Sequence, residues 1–247
     1  MLSNTAAAAG LHILRLTPES GSLAETSPGQ FVNILPPASS GTLLRRPISI
    51  CNADTAANEL TLMVKRAGKG TDAICDCREN DILDIIYPLG NGFRIPEKKS
   101  DVLLAGGGVG IAPLLYLARR LSESGHNVEV LQSARSRSGV QLADEFKQYG
   151  DLHITTEDGS EGVKGMADSH PCITRKYDMT YICGPTPMMR NLGGIFASRG
   201  IPCQVSLENK MACGIGACLC CVQKDSQDHN VCACTSGPVF NFNDIKL

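Results

Sequence analysis

The sequence has little net charge, no long apolar run and no export signal. Its formal net charge is −2 at pH 7, so it lacks the basic excess that binds nucleic acid or an anionic membrane. The longest uncharged run, Val102–Ala118, contains glycines and a proline and is shorter than the ~20 apolar residues of a membrane span. The first residues show no basic region before a sustained apolar stretch, as a secretory signal would. These absences predict a cytoplasmic protein that neither spans a membrane nor binds nucleic acid.

Cysteine, in contrast, is abundant. The chain has 12 cysteines, and in the reducing compartment expected here clustered cysteines bind metals more often than they form disulfides. Half of them lie within Cys213–Cys234, which makes this stretch the candidate metal site. The other six are dispersed and are expected to be small, buried residues: Cys51, Cys75, Cys77, Cys172, Cys183 and Cys203.

The pattern of the chain changes near residue 100. Before it, short β-type runs such as HILRL, FVNIL and ELTLMVK alternate with turn residues, which is typical of an antiparallel barrel or sandwich. After Asp101 strands alternate with helical segments, which indicates a doubly wound α/β domain. Helices are expected from Pro113, over LADEFKQYG and over PMMRNLGGIFASRG.

The segment from Gln204 onward is rich in glycine and cysteine and has no helical period. A piece of this length cannot bury enough apolar surface alone and usually needs a metal or a neighbouring domain. We therefore predict a multidomain chain of β plus α/β class, with domains over residues 1–98, 99–203 and 204–247.

A glycine-rich stretch joins the first strand of the α/β part to its first helix. Its sequence AGGGVGIAP fits G-x-G-x-x-P, with Gly108, Gly110 and Pro113 at the fixed positions. Glycines let the backbone approach a pyrophosphate, and the following helix presents free N–H groups to it. A second turn, Cys183-Gly184-Pro185, follows a later strand, and strand ends share one edge of such a sheet. Together the turns predict a nucleotide site, whereas the first alone would also suit a tight strand–helix turn.

The choice between NAD and NADP stays open at this stage. NAD-binding folds often place an acidic residue at the end of the second strand, and this chain has none there. It has Arg135 and Arg137 instead, and arginine pairs well with a phosphate. The two arginines would permit NADP, or they lie on a solvated loop.

Two short stretches of the first part could hold a second phosphate-bearing ligand. In LLRRPISI, an arginine and a hydroxyl near a strand edge could bind a phosphate and a ring nitrogen. In GKGTDAI, backbone N–H groups around Gly70 and Thr71 could bind another phosphate. Neither stretch is specific alone.

The spacing of the clustered cysteines favours a [2Fe–2S] cluster. Cys213-x4-Cys218-x2-Cys221 is the plant-type pattern, which needs a fourth cysteine further on. Glycines between them allow the unusual φ values of a loop that wraps a cluster. Cys220 precedes a ligand directly and is expected to point away. Geometry alone does not choose between Cys232 and Cys234, and a zinc site of Cys218, Cys221, Cys232 and Cys234 is the alternative.

The order of these motifs resembles the ferredoxin–NADP reductase superfamily. R-P-x-S, G-K-G-T, P-L-G-N-G-F, G-G-G-x-G-I-A-P and C-G-P follow one another over most of the chain. The tail, SLENKMACGIGACLCC followed by GPVF, is similar to the electron transfer subunits of type B, NAD-dependent dihydroorotate dehydrogenases. The resemblance implies an FAD-binding β-barrel, a nicotinamide-nucleotide domain and a small C-terminal [2Fe–2S] domain. The family pattern C-x2-G-P-V-F selects Cys234 as the fourth ligand.

The resemblance also implies roles for particular residues. Ser49 would lie near the reactive flavin nitrogen and Cys183 near the nicotinamide. Two departures from the superfamily are Ile48, where a tyrosine often stacks on the flavin, and Gln132, where glycine is commoner. The FAD contacts implied are Arg46, Pro47, Ile48, Ser49, Met63, Val64 and Lys65, with Gly70 and Thr71 at its diphosphate. Those for NAD are Gly108, Gly110, Pro113, Gly184 and Pro185.

The activity implied is electron transfer in de novo pyrimidine (UMP) biosynthesis. An FMN-containing partner subunit would oxidise dihydroorotate, and the electrons would reach NAD through the [2Fe–2S] cluster and FAD, in a heterotetramer with two copies of each subunit. One alternative is the small subunit of another NAD(P)H oxidoreductase, of the ferredoxin:NADP oxidoreductase or sulfide dehydrogenase type. The other is a non-catalytic domain with a structural zinc.

Overall fold

The computed structural model describes the backbone of residues 1–247 and all side chains except that of Ala9. Its first part is an antiparallel barrel domain of six strands with one short helix. The strands lie in the order β1-β2-β5-β4-β3-β6. Their bounds are β1 Ser3–Ala6, β2 Leu11–Leu16, β3 Phe31–Ile34, β4 Arg46–Asp54, β5 Glu59–Lys65 and β6 Ile85–Leu89, with helix α1 at Lys69–Cys75.

The barrel core follows from the alternation of the predicted β runs. Leu14, Ile50 and Leu62 are fully buried and pack in one apolar cluster, because every second side chain of these strands points inward. A register shift between Ile50 and Asn52 bends β4, so that it pairs with β5 at one end and β3 at the other. Strand β1 was not predicted, since its sequence SNTA carries no apolar alternation and only its pairing with β2 defines it.

The second part is a parallel sheet with helices on both faces. Its elements are β7 Asp101–Gly107, α2 Ala112–Glu123, β8 Asn127–Ala134, α3 Ala143–Phe146, β9 Asp151–Thr156, β10 Val163–Lys164, β11 Met179–Cys183, α4 Thr186–Ser198 and β12 Cys203–Ser206. Helix α2 packs on one face of the sheet and α4 on the other. The doubly wound arrangement is therefore confirmed.

The helix predicted over LADEFKQYG is wrong for most of its length. Only the four residues of α3 are helical, and the chain continues in turns to Gly150. Leu142 precedes the helix with φ +57, which prevents an earlier start. The helices expected from Pro113 and over PMMRNLGGIFASRG are confirmed as α2 and α4.

The cysteine-rich segment does not form a sheet of its own beyond one hairpin. Strands β13 Val222–Lys224 and β14 Asn230–Cys232 pair with each other, and β15 Val239–Asn241 pairs antiparallel with β12. The large sheet thus has seven strands in the order β10-β9-β8-β7-β11-β12-β15. The boundary predicted between residues 203 and 204 falls inside β12, so the tail and the nucleotide sheet share an edge.

Helix α2 joins the nucleotide domain to the barrel. Tyr116 is 4% exposed within the barrel core, and its hydroxyl donates to the carbonyl of Thr26 at 3.0 Å. One turn further on, Arg119 donates to the carbonyl of Ala53 at 2.6 Å. These contacts hold the end of the barrel against the glycine-rich turn that precedes α2. None of the helices in residues 1–247 combines the length and the apolarity of a membrane crossing.

Candidate functional site

A cavity of 330 Å³ lies where the barrel, the nucleotide domain and the tail meet. The barrel contributes side chains of β4 and β5, and the nucleotide domain contributes its two predicted turns. The segment after β12 closes the third side. The wall includes Arg46, Pro47, Ile48, Ser49, Met63, Lys65, Thr71, Val109, Gly110, Cys183, Gly184, Glu208, Asn209 and Met211.

Strand alternation decides which of the predicted barrel residues reach this cavity. Met63 and Lys65 lie on its wall, whereas Val64 between them is fully buried in the barrel core. The side chain of Val64 therefore points away from the cavity, because strand alternation turns the middle residue of the motif into the barrel core. The contact of Val64 with FAD stays a prediction.

The guanidinium of Arg46 packs directly over Gly70. A Cβ added at Gly70 would lie 2.7 Å from Nε of Arg46, so a larger residue would displace the guanidinium from this position. Next to it, the hydroxyl of Thr71 accepts the N–H of Ala67 at 2.9 Å and donates to the carbonyl of Gly68 at 3.0 Å. Gly70 and Thr71 lie in the first turn of α1. A cation held beside a helix start suits the diphosphate of a dinucleotide, so these residues fit the FAD that the sequence implies.

The two turns predicted to form the nucleotide site are in contact. A Cβ at Gly110 would lie 2.5 Å from the carbonyl oxygen of Cys183 and 2.7 Å from Cα of Gly184. This close approach is possible only without a side chain at position 110. It leaves a backbone-lined surface at the ends of β7 and β11, which suits the flat ring and phosphates of a nicotinamide nucleotide.

Three residues predicted to bind the nucleotide lie outside the cavity wall. Gly108 is exposed at the start of the turn, with φ +55. Pro113 is buried in the first turn of α2, and Pro185 is exposed just before α4. Neither proline contributes to the 330 Å³ cavity; both stand at helix starts, where proline is favoured because it lacks an N–H.

The two residues predicted to act on the cofactors face this one cavity. Ser49 reaches it from β4 and Cys183 from the end of β11. Burial raises the pKa of the Cys183 thiol to about 12, and the negative charge of Glu208 acts in the same direction. Cys183 is therefore a neutral thiol near pH 7, which can pack beside a ring but is a poor nucleophile.

The segment that follows β12 belongs to the tail that resembles the family, but no motif gave Glu208 or Asn209 a role in a binding site. Glu208 and Asn209 lie on the cavity wall next to the nucleotide turns. The signal was present, because this acid follows directly after a strand of the parallel sheet, whose carboxyl ends share the ligand-binding edge. Its place was hidden since residues 204–206 of β12 were grouped with the tail rather than with the sheet.

Backbone N–H groups surround the thiols of the cysteine-rich loop. The sulfur of Cys213 accepts from the N–H of Ile215 and of Cys218, both at 3.4 Å. The sulfur of Cys234 accepts from the N–H of Gly216 at 3.2 Å. Amide donors to cysteine sulfur are a standard feature of iron–sulfur sites. Gly214 and Gly216 have φ of +75 and +83, as predicted for a loop that wraps a cluster.

Contacts among the thiols link Cys213 with Cys218, and Cys221 with both Cys234 and Cys232. With Cys234 as the fourth ligand, the thiols divide into two pairs, Cys213–Cys218 and Cys221–Cys234. Cys213 contacts Cys218, and its N–H donors, Ile215 first, lower its pKa to about 6. Cys221 contacts Cys234, whose pKa is raised to about 11 by burial and by that neighbour. Two pairs suit a two-iron cluster, because each iron takes two cysteine sulfurs in addition to the bridging sulfides.

The zinc alternative requires four thiols that converge on one point. Within residues 1–247, no three side chains of His, Cys, Asp or Glu are arranged around a single metal position. The cysteine spacing and the backbone N–H donors to the sulfurs of Cys213 and Cys234 are the features that favour the cluster. Cys220 is exposed, while Cys232 is half-buried and also contacts Cys221. Only Cys234 of the last two cysteines receives a backbone N–H, which favours it as the fourth ligand.

Comparisons with known proteins agree with this architecture. Residues 208–246 match a family model described as the iron-sulfur cluster binding domain of dihydroorotate dehydrogenase B. A solved structure of the NADH-dependent reduced ferredoxin-NADP oxidoreductase superposes with a TM-score of 0.88 at 30% identity, over 99% of this chain and 88% of that one. The flavohem-like FAD/NAD binding domain of nitric oxide dioxygenase from Vibrio cholerae O1 biovar El Tor shares the fold, with a TM-score of 0.68 at 21% identity over 81% and 92% of the two chains. The chain is thus a reductase-type flavoprotein fold with an attached iron–sulfur domain.

Curated relatives define the family of the chain within this class of flavoproteins. The chain is 40% identical over 228 residues to a protein of Shouchella clausii, covering 90% of this chain and 87% of that protein. It is 37% identical to one of Geobacillus kaustophilus, covering 89% and 87%. Both are named dihydroorotate dehydrogenase B (NAD(+)), electron transfer subunit. The chain belongs to the family of these electron transfer subunits.

Proposed function

We propose that the chain carries electrons from a dihydroorotate-oxidising partner to NAD⁺, through a [2Fe–2S] cluster and FAD, in the de novo synthesis of UMP. The overall reaction is dihydroorotate + NAD⁺ → orotate + NADH + H⁺. The observation that carries the proposal is the single cavity whose wall joins the barrel, the nucleotide turns and the segment leading into the cysteine loop. The phosphate- and ring-binding features of that cavity suit FAD and NAD, and the oxidation of dihydroorotate would take place in the partner.

The residues present can hold all three groups. Arg46, Gly70 and Thr71 suit the FAD diphosphate, and the Gly110 turn suits NAD. The cluster would be held by Cys213 and Cys218 on one iron and by Cys221 and Cys234 on the other. When bound, FAD accepts electrons singly and releases them as a pair, which links one-electron carriers to hydride chemistry.

The chain's own side chains would orient the reacting rings and exclude water. Ser49 places a hydroxyl on the barrel wall, where it can hydrogen-bond a flavin ring nitrogen. Cys183, a neutral thiol opposite it, can pack against the nicotinamide without reacting with it. Phe31 and Met211 cover the side of the cavity next to the tail and keep water from the space between the cofactor sites.

The exposed end of the cysteine loop supports a partner surface. Ile215 and Leu219 are 59% and 63% exposed, and Cys218 beside them is exposed too. Large apolar side chains around a redox centre suit a contact that a partner covers. The partner proposed is an FMN-containing catalytic subunit, with two copies of each chain in the assembly. The compartment proposed is the cytoplasm, where thiols that bind a cluster are kept reduced.

The function is tested by reconstitution. The purified chain, loaded with FAD and cluster, should reduce artificial acceptors with NADH but should not oxidise dihydroorotate. Adding an FMN-containing dihydroorotate-oxidising subunit should restore NAD-linked turnover. Dihydroorotate:NAD activity of the single chain would contradict the proposal, as would full activity of the pair after removal of the cluster.

A second assignment is the small subunit of an NADH-dependent ferredoxin–NADP oxidoreductase, which the structural similarity over 99% of the chain favours. The same reconstitution distinguishes this assignment from the dihydroorotate-linked function. Turnover that requires ferredoxin and a second nicotinamide coenzyme, with no response to dihydroorotate, would establish the second.

We expect the chain to prefer NADH to NADPH by roughly tenfold or more in kcat/KM. Without a phosphate site, binding of NADPH would desolvate its 2′-phosphate without pairing the charge. Arg137 is 80% exposed and lies 3.8 Å from Glu161, and Arg135 is exposed, so neither is held in a defined phosphate site. Arg135→Ala should change kcat/KM for either coenzyme by about twofold at most. A higher kcat/KM for NADPH than for NADH would show that the arginines form a 2′-phosphate site.

Ile215→Glu should weaken binding of the catalytic subunit by about tenfold or more, since it would bury an unpaired charge at the contact. Met166→Glu is the matched control: Met166 is 65% exposed and follows β10, at the opposite edge of the sheet from the tail. Titration of labelled chain with the partner measures both. Equal affinities of the two variants would place the partner surface elsewhere.

A further inference from the structure

Strand β3 lies between the flavin strand and the cysteine loop. Its residues Phe31 and Asn33 pair with Ser49 and Pro47 of β4. Being two positions apart, they point to the same face of the sheet. Both contact the tail on that face, although neither belongs to the motifs that define the two sites.

Asn33 reaches the first half of the cysteine loop. Its side chain is fully buried, and Nδ2 donates to the carbonyl of Cys213 at 3.2 Å and to that of Ala212 at 3.4 Å. The approach is close enough that a Cβ at Gly214 would lie 2.9 Å from the same nitrogen. The side-chain amide of Asn33 therefore fixes the position of the backbone at Ala212 and Cys213.

The polarity of Asn33 is costly at this position. Its Oδ1 is buried without a hydrogen-bond partner, which destabilises the folded chain because the desolvated oxygen gains no bond in return. It stands in the run FVNIL, where the other side chains are apolar and an isosteric leucine would avoid that cost. The two bonds to the cysteine loop are the contacts that an apolar residue could not make.

Phe31 reaches the second half of the loop. It is 3% exposed, lines the flavin cavity beside Ser49, and packs in one apolar cluster with Cys221 and Cys234. The two residues of β3 thus meet one cysteine pair each. Together they connect the strand that carries Ser49 to both halves of the cluster site.

We infer that Asn33 is a positioning residue that, with Phe31 as a shared wall, holds the cluster at a fixed distance from the flavin. The inference rests on the proposed function. In the step concerned, one electron passes between cluster and flavin; one is oxidised and the other reduced by one electron, and no bond forms or breaks. A glycine-rich loop without this support would sample larger separations, and the rate of the step would fall.

Asn33→Leu tests the inference in the full chain loaded with FAD and cluster. After rapid mixing with NADH, flavin bleaching should proceed at the wild-type rate, while reduction of the cluster should slow by about tenfold, the usual effect of losing an outer-shell contact to a metal ligand. The EPR line shape of the reduced cluster should also change, because the Cys213 backbone loses its donor. Asn33→Ser, too short to reach these carbonyls, is the second variant if the leucine chain does not take up the cluster.

Asn91→Ala is the matched control. Asn91 also comes from the barrel, and its Nδ2 donates to the tail carbonyls of Thr235 and Ser236 at 2.9 and 3.1 Å, but it does not lie on β3. Its bonds lie just after Cys234, but the backbone N–H of residue 91 also donates to the carbonyl of Gly237 at 2.6 Å, and alanine keeps that bond. The variant should therefore leave the rate of flavin bleaching and the EPR signal unchanged and slow cluster reduction by less than about twofold. If cluster reduction slowed as much in Asn91→Ala as in Asn33→Leu, Asn33 would only help to hold the tail on the barrel and would have no special positioning role. Cluster reduction at the wild-type rate in both Asn33 variants would refute the inference. Because the measurement needs no partner, its failure differs from failure of the proposed function, which appears as missing NAD-linked turnover in the reconstituted pair.

Discussion

Alanine at Cys213, Cys218, Cys221 or Cys234 is expected to abolish the visible absorption and the EPR signal of the [2Fe–2S] cluster. Each of these thiols belongs to one of the two pairs, and the loss of one leaves an iron with a single protein ligand. Dihydroorotate-linked turnover of the assembled enzyme should be lost with the cluster. NADH-dependent reduction of the flavin should persist, because it needs only the barrel and the nucleotide domain.

Cys220→Ala and Cys232→Ala are the controls and should retain both signals. The comparison of Cys232 with Cys234 is the decisive one, since both thiols contact Cys221. Loss of the cluster in Cys232→Ala together with its retention in Cys234→Ala would overturn the fourth assignment.

Gly110→Ala is expected to lower the rate of flavin reduction by NADH by about a hundredfold. The new Cβ would lie 2.5 Å from the carbonyl oxygen of Cys183, and neither backbone segment can yield without opening the nucleotide site. A displacement of about 1 Å at a hydride-transfer site has an effect of this size. Stopped-flow absorbance of the flavin measures the rate.

The EPR signal of the cluster, once reduced chemically, should be unchanged in Gly110→Ala. Gly194→Ala is the matched control, because Gly194 lies in α4 with no atom within 4 Å of an added Cβ. It should reduce the flavin at the wild-type rate. If Gly110→Ala reduced its flavin with NADH as fast as this control, the glycine-rich turn would not take part in nucleotide binding.

The parts of the fold that sequence patterns predicted are those with strong periodicity. The β runs of the barrel, the alternation after Asp101 and the helices α2 and α4 are local signals. Motifs led to the cavity residues Arg46, Ser49, Gly110 and Cys183 for the same reason. The cysteine spacing is also local and needs no tertiary information.

What sequence reasoning missed depends on contacts between distant segments. Val64 was grouped with its neighbours although strand alternation places it in the core. Residues 204–206 were grouped with the tail because only the pairing of β12 with β11 shows that they extend the nucleotide sheet. No sequence pattern gave Asn33 a role, since its partner Cys213 is 180 residues away in the chain.

The pairing of β15 with β12 has a consequence for the solubility of the protein when iron is scarce. Strand β15 begins at Val239, shortly after Cys234. It covers the edge of β12, which would otherwise be an open edge of the sheet. Metal binding contributes to the folding of the segment that it organises, so apo-protein would leave β12 uncovered for part of the time. An exposed strand edge pairs readily with other chains. Iron supply would thus govern the solubility of newly made protein as well as its electron transfer.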